Sequence, residues 1–153
     1  MSEVLLHETI VISRTIKASA KAVFSAWEDP QARSIWGPPS SDEALEFLES
    51  DFRIGGCDVH HCGKKGDLRF RVETRYYCIS NPQRLIFTER VTTDEKLLST
   101  SLVSVSFDGD GDTTKLDVTI QIASLVGADM IGGTRSGWNA AIDHLKHFVE
   151  RNE

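Results

Sequence analysis

The sequence is poor in the features that mark disulfide-bonded, exported and membrane-spanning proteins. It has 3 cysteines and 4 prolines in 153 residues. An odd and small cysteine count does not suit a disulfide scaffold, so we expect reduced thiols in a cytoplasmic protein. No apolar run approaches the roughly 18 residues that a transmembrane helix requires. The first residues also lack the basic and apolar segments of a secretory signal, and we therefore expect neither a membrane span nor export.

Basic residues are too few and too dispersed for nucleic-acid binding. The chain has 17 Lys and Arg against 23 Asp and Glu, and its net charge is −6. Binding to phosphate groups relies on clustered basic side chains, whereas the one adjacent pair here is Lys64 and Lys65, which a solvated turn explains. The hydrophobic content of 40% is typical of a globular protein. We expect one domain over residues 1–153, with no nucleic-acid and no membrane partner.

The most regular pattern is an apolar stripe near the C-terminus. Its members recur at helical spacing and are Trp138, Ala141, Ile142, Leu145, Phe148 and Val149. This spacing predicts a long amphipathic helix that must pack against a large surface. The segment 126–137 holds four glycines, and we expect it to lead into this helix with Ser136 as the N-cap.

The sequence before this helix predicts a sheet that can cover it. Residues 9–16 are β-branched and predict a first strand. Ser19 then predicts the N-cap of a helix that ends at Trp27, and Asp29 predicts the cap of a second short helix with a proline at its first position.

About six strands are predicted after the second helix. One of them carries Leu48, Phe52 and Ile54, and the later ones alternate apolar and polar residues, which is typical of antiparallel strands with one wet face. The order predicts an α+β domain with helices on one face of an antiparallel sheet.

Several local motifs occur in a characteristic order along the chain. They are Arg14-Thr-Ile-Lys-Ala-Ser-Ala-Lys-Ala-Val-Phe-Ser-Ala-Trp27, Asp29-Pro30, Trp36-Gly-Pro38, Asp51-Phe-Arg-Ile-Gly-Gly56, Pro82-Gln-Arg-Leu-Ile-Phe-Thr-Glu89 and Gly137-Trp138. With these motifs the chain resembles the SRPBCC superfamily, which includes START domains and birch-pollen-allergen-like proteins. Within it, the chain is most similar to the branch named for the C-terminal domain of the activator of the heat-shock-protein-90 ATPase.

The resemblance implies a helix-grip fold, in which a curved antiparallel sheet of about six to seven strands wraps around a long C-terminal helix. It also implies a cavity between sheet and helix. Three places depart from the family pattern near that cavity. A single tryptophan, Trp36, follows Ile35 where paired tryptophans are usual, and Asp58 and His60 occupy positions that are often aromatic. The glycine-rich approach to the last helix, Gly132-Gly133, is looser than the family pattern. The resemblance therefore implies a cavity but does not imply its ligand.

The densest cluster of metal-ligand side chains is in the segment 57–62, which contains Cys57, His60, His61 and Cys62. Zinc needs about four ligands in a tetrahedral arrangement. In a strand, neighbouring side chains point to opposite faces, so only two of these residues can meet on one face. We expect an ordinary strand and no metal.

A second polar cluster resembles the start of a calcium loop. Asp108, Asp110 and Asp112 have the spacing of its first ligands, but Thr113 and Thr119 stand where an EF-hand needs Gly and Glu. A polar hairpin turn is the better interpretation. No nucleophile with a nearby base and acid is recognisable, so we predict no catalytic residue and no cofactor.

Polar and aromatic residues on inward strand positions form the candidate ligand site. The predicted lining residues are Trp36, His60, Tyr76, Phe87, Glu89, Trp138 and Ile142. A carboxylate that faces a cavity needs a partner or water, because burial of an unpaired charge is unfavourable. We expect Arg14, Arg53 or Arg71 to be the partner of Glu89.

These residues favour a protein that binds a hydrophobic or aromatic small molecule between the sheet and the last helix. One alternative, implied by the resemblance to the superfamily, is an enzyme of the cyclase, dehydratase or hydrolase kind that uses the same cavity, with Glu89 or His60 as general base. Another, implied by the resemblance alone, is a chaperone-interacting module. A homodimer through exposed strand edges is also an open alternative.

Overall fold

The computed structural model describes residues 4–151, and within this range the chain forms seven strands and three helices. In chain order these are β1 (Leu6–Ile16), α1 (Ala20–Glu28), α2 (Pro30–Trp36), β2 (Glu43–Glu49), β3 (Cys57–Lys64), β4 (Asp67–Ser80), β5 (Arg84–Thr93), β6 (Lys96–Asp110), β7 (Thr113–Ser124) and α3 (Ala128–Arg151). No helix among the described residues combines the length and the apolar character that crossing a bilayer requires.

All seven strands form one antiparallel sheet in the order β1-β7-β6-β5-β4-β3-β2. Strands β2 to β7 follow one another as hairpins, and β1 pairs with β7 from Leu6 opposite Ser124 to Ile16 opposite Thr114. The long helix α3 contacts β1, β7, α1 and α2. The predicted α+β, helix-grip architecture is confirmed, with both short helices after the first strand.

The two short helices begin where the capping residues predict. The Ser19 hydroxyl accepts a hydrogen bond from the backbone N–H of Ala22 at 3.2 Å, and the Asp29 carboxylate accepts one from Gln31 at 3.0 Å. Both bonds satisfy N–H groups that have no partner within the first helical turn. The indole N–H of Trp36 donates to the backbone oxygen of Ala26 at 3.0 Å, which ties α2 to α1.

The C-terminal half of α3 closes the core. Ile142 and Leu145 are completely buried, and Val149 is nearly so. They belong to one apolar cluster with the inward residues of β1, β6 and β7 and with α1. Burial of such side chains is the main favourable contribution to folding.

The strand predicted around Leu48, Phe52 and Ile54 is wrong at its C-terminal end, because β2 ends at Glu49. Residues 51–56 instead form a tight turn. In this turn Gly55 has a φ of +83°, and a Cβ on Gly56 would lie 2.2 Å from a backbone oxygen. Both positions require glycine, and the turn ends the strand pairing.

The predicted start of the last helix is also wrong. Helix α3 begins at Ala128, directly after Gly127, whose φ is +91°. Ser136 therefore lies inside the helix, where it is exposed and caps nothing. The buried side chain of Ile131 anchors the first turns, so packing overrides the low helix propensity of Gly132 and Gly133.

These exposed helical glycines give a stability prediction. A Cβ added at Gly132 would meet no atom within 4 Å. Gly132→Ala should therefore raise the free energy of unfolding by about 0.5–1 kcal/mol, because alanine loses less backbone entropy in a helix. Urea denaturation measures the change. Gly127→Ala is the contrasting variant, and its positive φ should make it destabilising; a loss of stability in Gly132→Ala would contradict the helical assignment.

Candidate functional site

A cavity of about 270 Å³ lies between α2, the N-terminal half of α3 and the inner faces of β2 to β5. Its walls follow from strand periodicity, because alternate residues of a strand point to the same face. On β4 these are Phe70, Val72, Thr74 and Tyr76, and on β5 they are Phe87, Glu89 and Val91. Helix α3 contributes Thr134, Gly137, Trp138 and Ala141.

The structure brings most of the predicted site residues together. Those that line the cavity are Trp36, His60, Tyr76, Phe87, Glu89 and Trp138. Ile142 does not line it and is fully buried in the core instead. On α3 the cavity is reached by Trp138 and Ala141, and the next residue is turned by about 100° around the helix axis.

The aromatic part of the wall is centred on Trp27. The Trp27 ring lies 5.1 Å from Trp36, 6.1 Å from Trp138 and 6.4 Å from Phe87, measured between ring centroids. Tyr76 continues this wall, with its ring 5.8 Å from that of Phe87. Rings at such distances stabilise one another beyond simple burial, which keeps the wall in a defined shape.

A buried polar triad lies beside the aromatic wall. The Arg33 guanidinium Nη1 donates to Asp58 Oδ2 at 2.9 Å and to the Tyr76 hydroxyl at 3.3 Å. The Tyr76 hydroxyl also donates to Asp58 Oδ2, and the second Asp58 oxygen accepts the backbone N–H of Asp51 at 2.8 Å. Asp58 is completely buried and Arg33 is 9% exposed. Burial raises the pKa of Tyr76 well above its usual value, so its hydroxyl keeps its proton.

Sequence analysis did not assign Arg33 and Asp58 to the site. Two signals were available. Arg33 precedes Trp36 by three residues on a helix, so both occupy one helical face. Asp58 precedes His60 by two residues on a strand, so both face the same side. Neither pattern predicts that α2 packs over β3. The ion pair forms because this packing brings Arg33 next to Asp58.

Arg33 also packs against an aromatic ring. Its guanidinium carbon lies 4.4 Å from the centroid of Phe47 on β2. Two of its nitrogens, Nε and Nη2, are buried without a hydrogen-bond partner among the described residues. The cation is therefore held by one carboxylate, one hydroxyl and one ring face.

The expected ion pair between Glu89 and one of three named arginines is wrong. The three arginines pair elsewhere: Arg14 with Asp143, Arg53 with Asp51 and Arg71 with Glu73. The reason for Arg71 is strand parity, because Val72 faces the cavity and its neighbour must face outward. The cation that influences the pKa of Glu89 is Arg33, and this arginine already forms an ion pair with Asp58.

The Glu89 carboxylate makes no hydrogen bond or ion pair within residues 4–151. Its side chain is partly buried, and the surface it retains faces the cavity. Burial raises the pKa of Glu89 to about 7, although the positive charge of Arg33 opposes the shift. Glu89 therefore changes charge near neutral pH, unlike an ordinary surface carboxylate.

Two other titratable side chains of the cavity, those of His60 and Cys62, are neutral at pH 7. Burial lowers the pKa of His60 to about 4, with a smaller contribution from Arg33. Burial raises the pKa of the Cys62 thiol to about 11, and the charge of Glu89 adds to the shift. His60 packs against Phe47 at 5.3 Å, and its Nδ1 is buried without a partner among the described residues. In the described part of the chain, no three His, Cys, Asp or Glu side chains are arranged to hold a metal ion.

The buried triad predicts a large loss of stability in Asp58→Asn. The substitution keeps the size of the side chain but leaves the Arg33 charge buried without a counter-charge. We expect a loss of about 3–5 kcal/mol in the free energy of unfolding, measured with urea. Asp51→Asn is the matched control, because it removes an exposed partner of Arg53 and should cost less than about 1 kcal/mol. Equal losses in the two variants would contradict a structural role for the triad.

The raised pKa of Glu89 predicts a pH-dependent effect of Glu89→Gln. The unfolded chain binds the proton with a pKa near 4.5 and the folded chain with one of about 7. Stability from the protonated carboxyl is therefore present at low pH and is lost as the pH rises towards 7. The stability of Glu89→Gln should lie within about 1 kcal/mol of that of the parent protein at pH 5 and exceed it at pH 8 by up to about 3 kcal/mol.

The control for this measurement is Glu46→Gln, which removes an exposed carboxylate from the outer face of β2. The difference in unfolding free energy between this variant and the parent should stay near zero at both pH values. A constant difference for Glu89→Gln across the same range would show that its carboxylate titrates normally.

Comparisons with known proteins agree with this architecture. An uncharacterized protein from Rhizobium leguminosarum is similar to the chain with a TM-score of 0.82, 29% identity and coverage of 97% of both chains. A Rhizobium loti protein gives a TM-score of 0.77 and 26% identity over 95% of this chain and 99% of the other. An AHSA1-like protein from Aeromonas hydrophila gives 0.71 and 25% identity over 95% and 94%.

No curated protein matches the chain. A family model described as Activator of Hsp90 ATPase homolog 1-like protein matches residues 17–150. The matched residues extend from the end of β1 to the end of α3 and include every element that lines the cavity. The chain therefore belongs to the Activator of Hsp90 ATPase homolog 1-like family, within the SRPBCC superfamily of helix-grip proteins.

Proposed function

We propose that the protein binds a small, mainly apolar and aromatic molecule in the cavity between the sheet and α3. The observation that carries this proposal is the cavity itself, which the aromatic residues around Trp27 leave unfilled. Protein interiors are normally packed to the density of organic crystals. A cavity of 270 Å³ in a small fold is therefore a departure that a bound molecule explains.

Small side chains keep the cavity open where larger ones would fill it. These residues are Ala44, Thr74, Thr134, Gly137 and Ala141. They come from β2, β4 and α3, so the space does not depend on one element. Loss of contacts around a void is unfavourable unless a ligand or water replaces them.

The size of the cavity limits the ligand. Pockets for drug-sized molecules span about 300–1,000 Å³. The value of 270 Å³ lies just below this range. We infer a molecule of one or two rings, bound by desolvation against Trp36, Phe87 and Trp138, with Tyr76, His60 and Glu89 at the polar side of the cavity.

We infer that a ligand enters between α2 and β2, where lining residues are partly exposed. Gly37, Pro38 and Pro39 form one edge of this inferred entrance, and Leu45 of β2 forms another. The backbone oxygen of Pro38 is 3.0 Å from Nδ1 of His144 on α3, which joins this edge to the helix. A molecule that enters here reaches the aromatic wall directly.

Neither the thiol nor the phenol of the cavity is ionised as a ready nucleophile. The Cys62 thiol and the Tyr76 hydroxyl both keep their protons at neutral pH, because burial raises both pKa values. A nucleophile must lose its proton to react. A chaperone-directed role rests on the family description alone, whereas ligand binding rests on the geometry of this chain.

The binding proposal predicts thermal stabilisation by neutral one-ring and two-ring aromatics. Benzyl alcohol and indole should each raise the melting temperature in a concentration-dependent way, since a ligand that binds only the folded state stabilises it. Trp138→Ala should weaken their binding at least about tenfold, because it removes one ring of the wall.

Tyr77→Ala is the matched control, because Tyr77 is an aromatic residue of β4 that is 57% exposed outside the cavity. This variant should bind both probes like the parent protein. The proposal fails if neither probe shifts the melting temperature, or if Trp138→Ala and Tyr77→Ala behave alike.

A further inference from the structure

The cavity carries negative charge, from Glu89 in its wall and Glu43 at its edge, that no cation among the described residues balances. We propose that the ligand is a small aromatic amine, bound in its ammonium form with the nitrogen against the Glu89 carboxylate. This inference rests on the proposed function and names the ligand class for the same cavity. It follows from the charge inventory, the aromatic wall and the isolation of Glu89.

The charged residues that line the cavity belong to α2, β2 and β5. From α2, the charge of Arg33 is matched by that of Asp58 at 2.9 Å. From β2, Glu43 lies at the entrance, where it accepts a hydrogen bond from the Ser40 hydroxyl at 2.8 Å.

The remaining elements add no positive charge. Strands β3 and β4 contribute His60, Cys62 and Tyr76, which are neutral at pH 7. Helix α3 contributes only uncharged residues to the wall. With Glu89 from β5, the cavity is therefore negative when this carboxylate is ionised.

An ammonium group satisfies this arrangement better than a neutral group or an anion. A neutral ligand would leave the enclosed carboxylate without a counter-charge, which is unfavourable in an apolar environment. A carboxylate ligand would be repelled by Glu89 and could bind only when Glu89 is protonated. An ammonium group pairs with Glu89, and nearby aromatic rings attract cations through their faces.

The arrangement also predicts a proton exchange on binding. Near pH 7 the Glu89 carboxyl is protonated in about half of the molecules, because its pKa is about 7. Ammonium binding favours the ionised carboxylate and expels this proton. Binding of an anion favours the protonated form and takes a proton up, so the two ligand classes differ in sign.

The test uses three probes of one shape that differ in charge, which are benzylamine, benzyl alcohol and benzoate. Isothermal titration calorimetry at pH 8 should show benzylamine binding at least about tenfold more tightly than the other two. At pH 7, titrations in two buffers of different ionisation enthalpy should show release of about half a proton per benzylamine bound.

Two variants separate direct pairing from the general field of an acidic protein. Glu89→Gln should abolish both the preference for benzylamine over benzyl alcohol and the proton release. Glu46→Gln removes the same charge from the outer face of β2, and it should keep both the preference and the proton release.

The outcomes are distinguishable. If benzyl alcohol binds but benzylamine binds no more tightly, the amine proposal is overturned and the binding function stands. The amine proposal is also overturned if the preference survives in Glu89→Gln, or if benzylamine binding takes up a proton. If none of the three probes binds, the binding function and the amine proposal fail together.

Discussion

The buried ion pair between Arg33 and Asp58 is the constraint on which the site depends. It joins α2 to β3, and through the Tyr76 hydroxyl it reaches β4. A buried pair contributes little net stability compared with well-packed apolar residues, but separation of its partners would leave two buried charges uncompensated. The ion pair therefore fixes how far α2 lies from the sheet, and this distance sets the width of the cavity.

The same pair limits how far Arg33 can stabilise the ionised form of Glu89. The positive charge of Arg33 opposes the rise in the pKa of Glu89, but Nη1 of Arg33 already binds Asp58. A second carboxylate beside one cation remains only partly compensated, so burial dominates and the pKa of Glu89 rises. Because Arg33 is paired with Asp58, the carboxyl of Glu89 keeps a raised pKa.

Helix α3 has two functions along its length. Its C-terminal half seals the core through Ile142, Leu145 and Val149. Its part up to Ala141 leaves a space, because Gly137 and Ala141 face the cavity with little or no side chain. The part of α3 that stabilises the core is therefore distinct from the part that lines the cavity. Substitutions near the start of the helix can alter the cavity without disturbing the core.

Local patterns were sufficient to predict the elements and much of the wall. Strand alternation placed Tyr76, Phe87 and Glu89 inward, and the caps at Ser19 and Asp29 gave both helix starts. These signals act over two to four residues. The missed features act over long separations: Asp58 is 25 residues from Arg33 in the chain, and no short-range pattern encodes their contact.

The two wrong boundaries have similar physical origins. Gly132 and Gly133 have low helix propensity, but a buried Ile131 and the sheet beneath stabilise the helix through them. Phe52 fits a strand pattern, but the pairing of β2 with β3 stops at Glu49. Phe52 therefore lies in the turn that contains Gly55 and Gly56. Tertiary packing sets the end of β2 and the start of α3, and the periodicity of one sequence carries no information about such packing.

The edge of the entrance formed by Pro38 and Pro39 has an entropic consequence. Proline rings fix φ and also restrict the residue before them, so this segment has few conformations to lose. The contact between Pro38 and His144 limits it further. A ligand that passes such a preorganised edge orders little backbone on arrival, and more of its contact energy therefore remains as affinity.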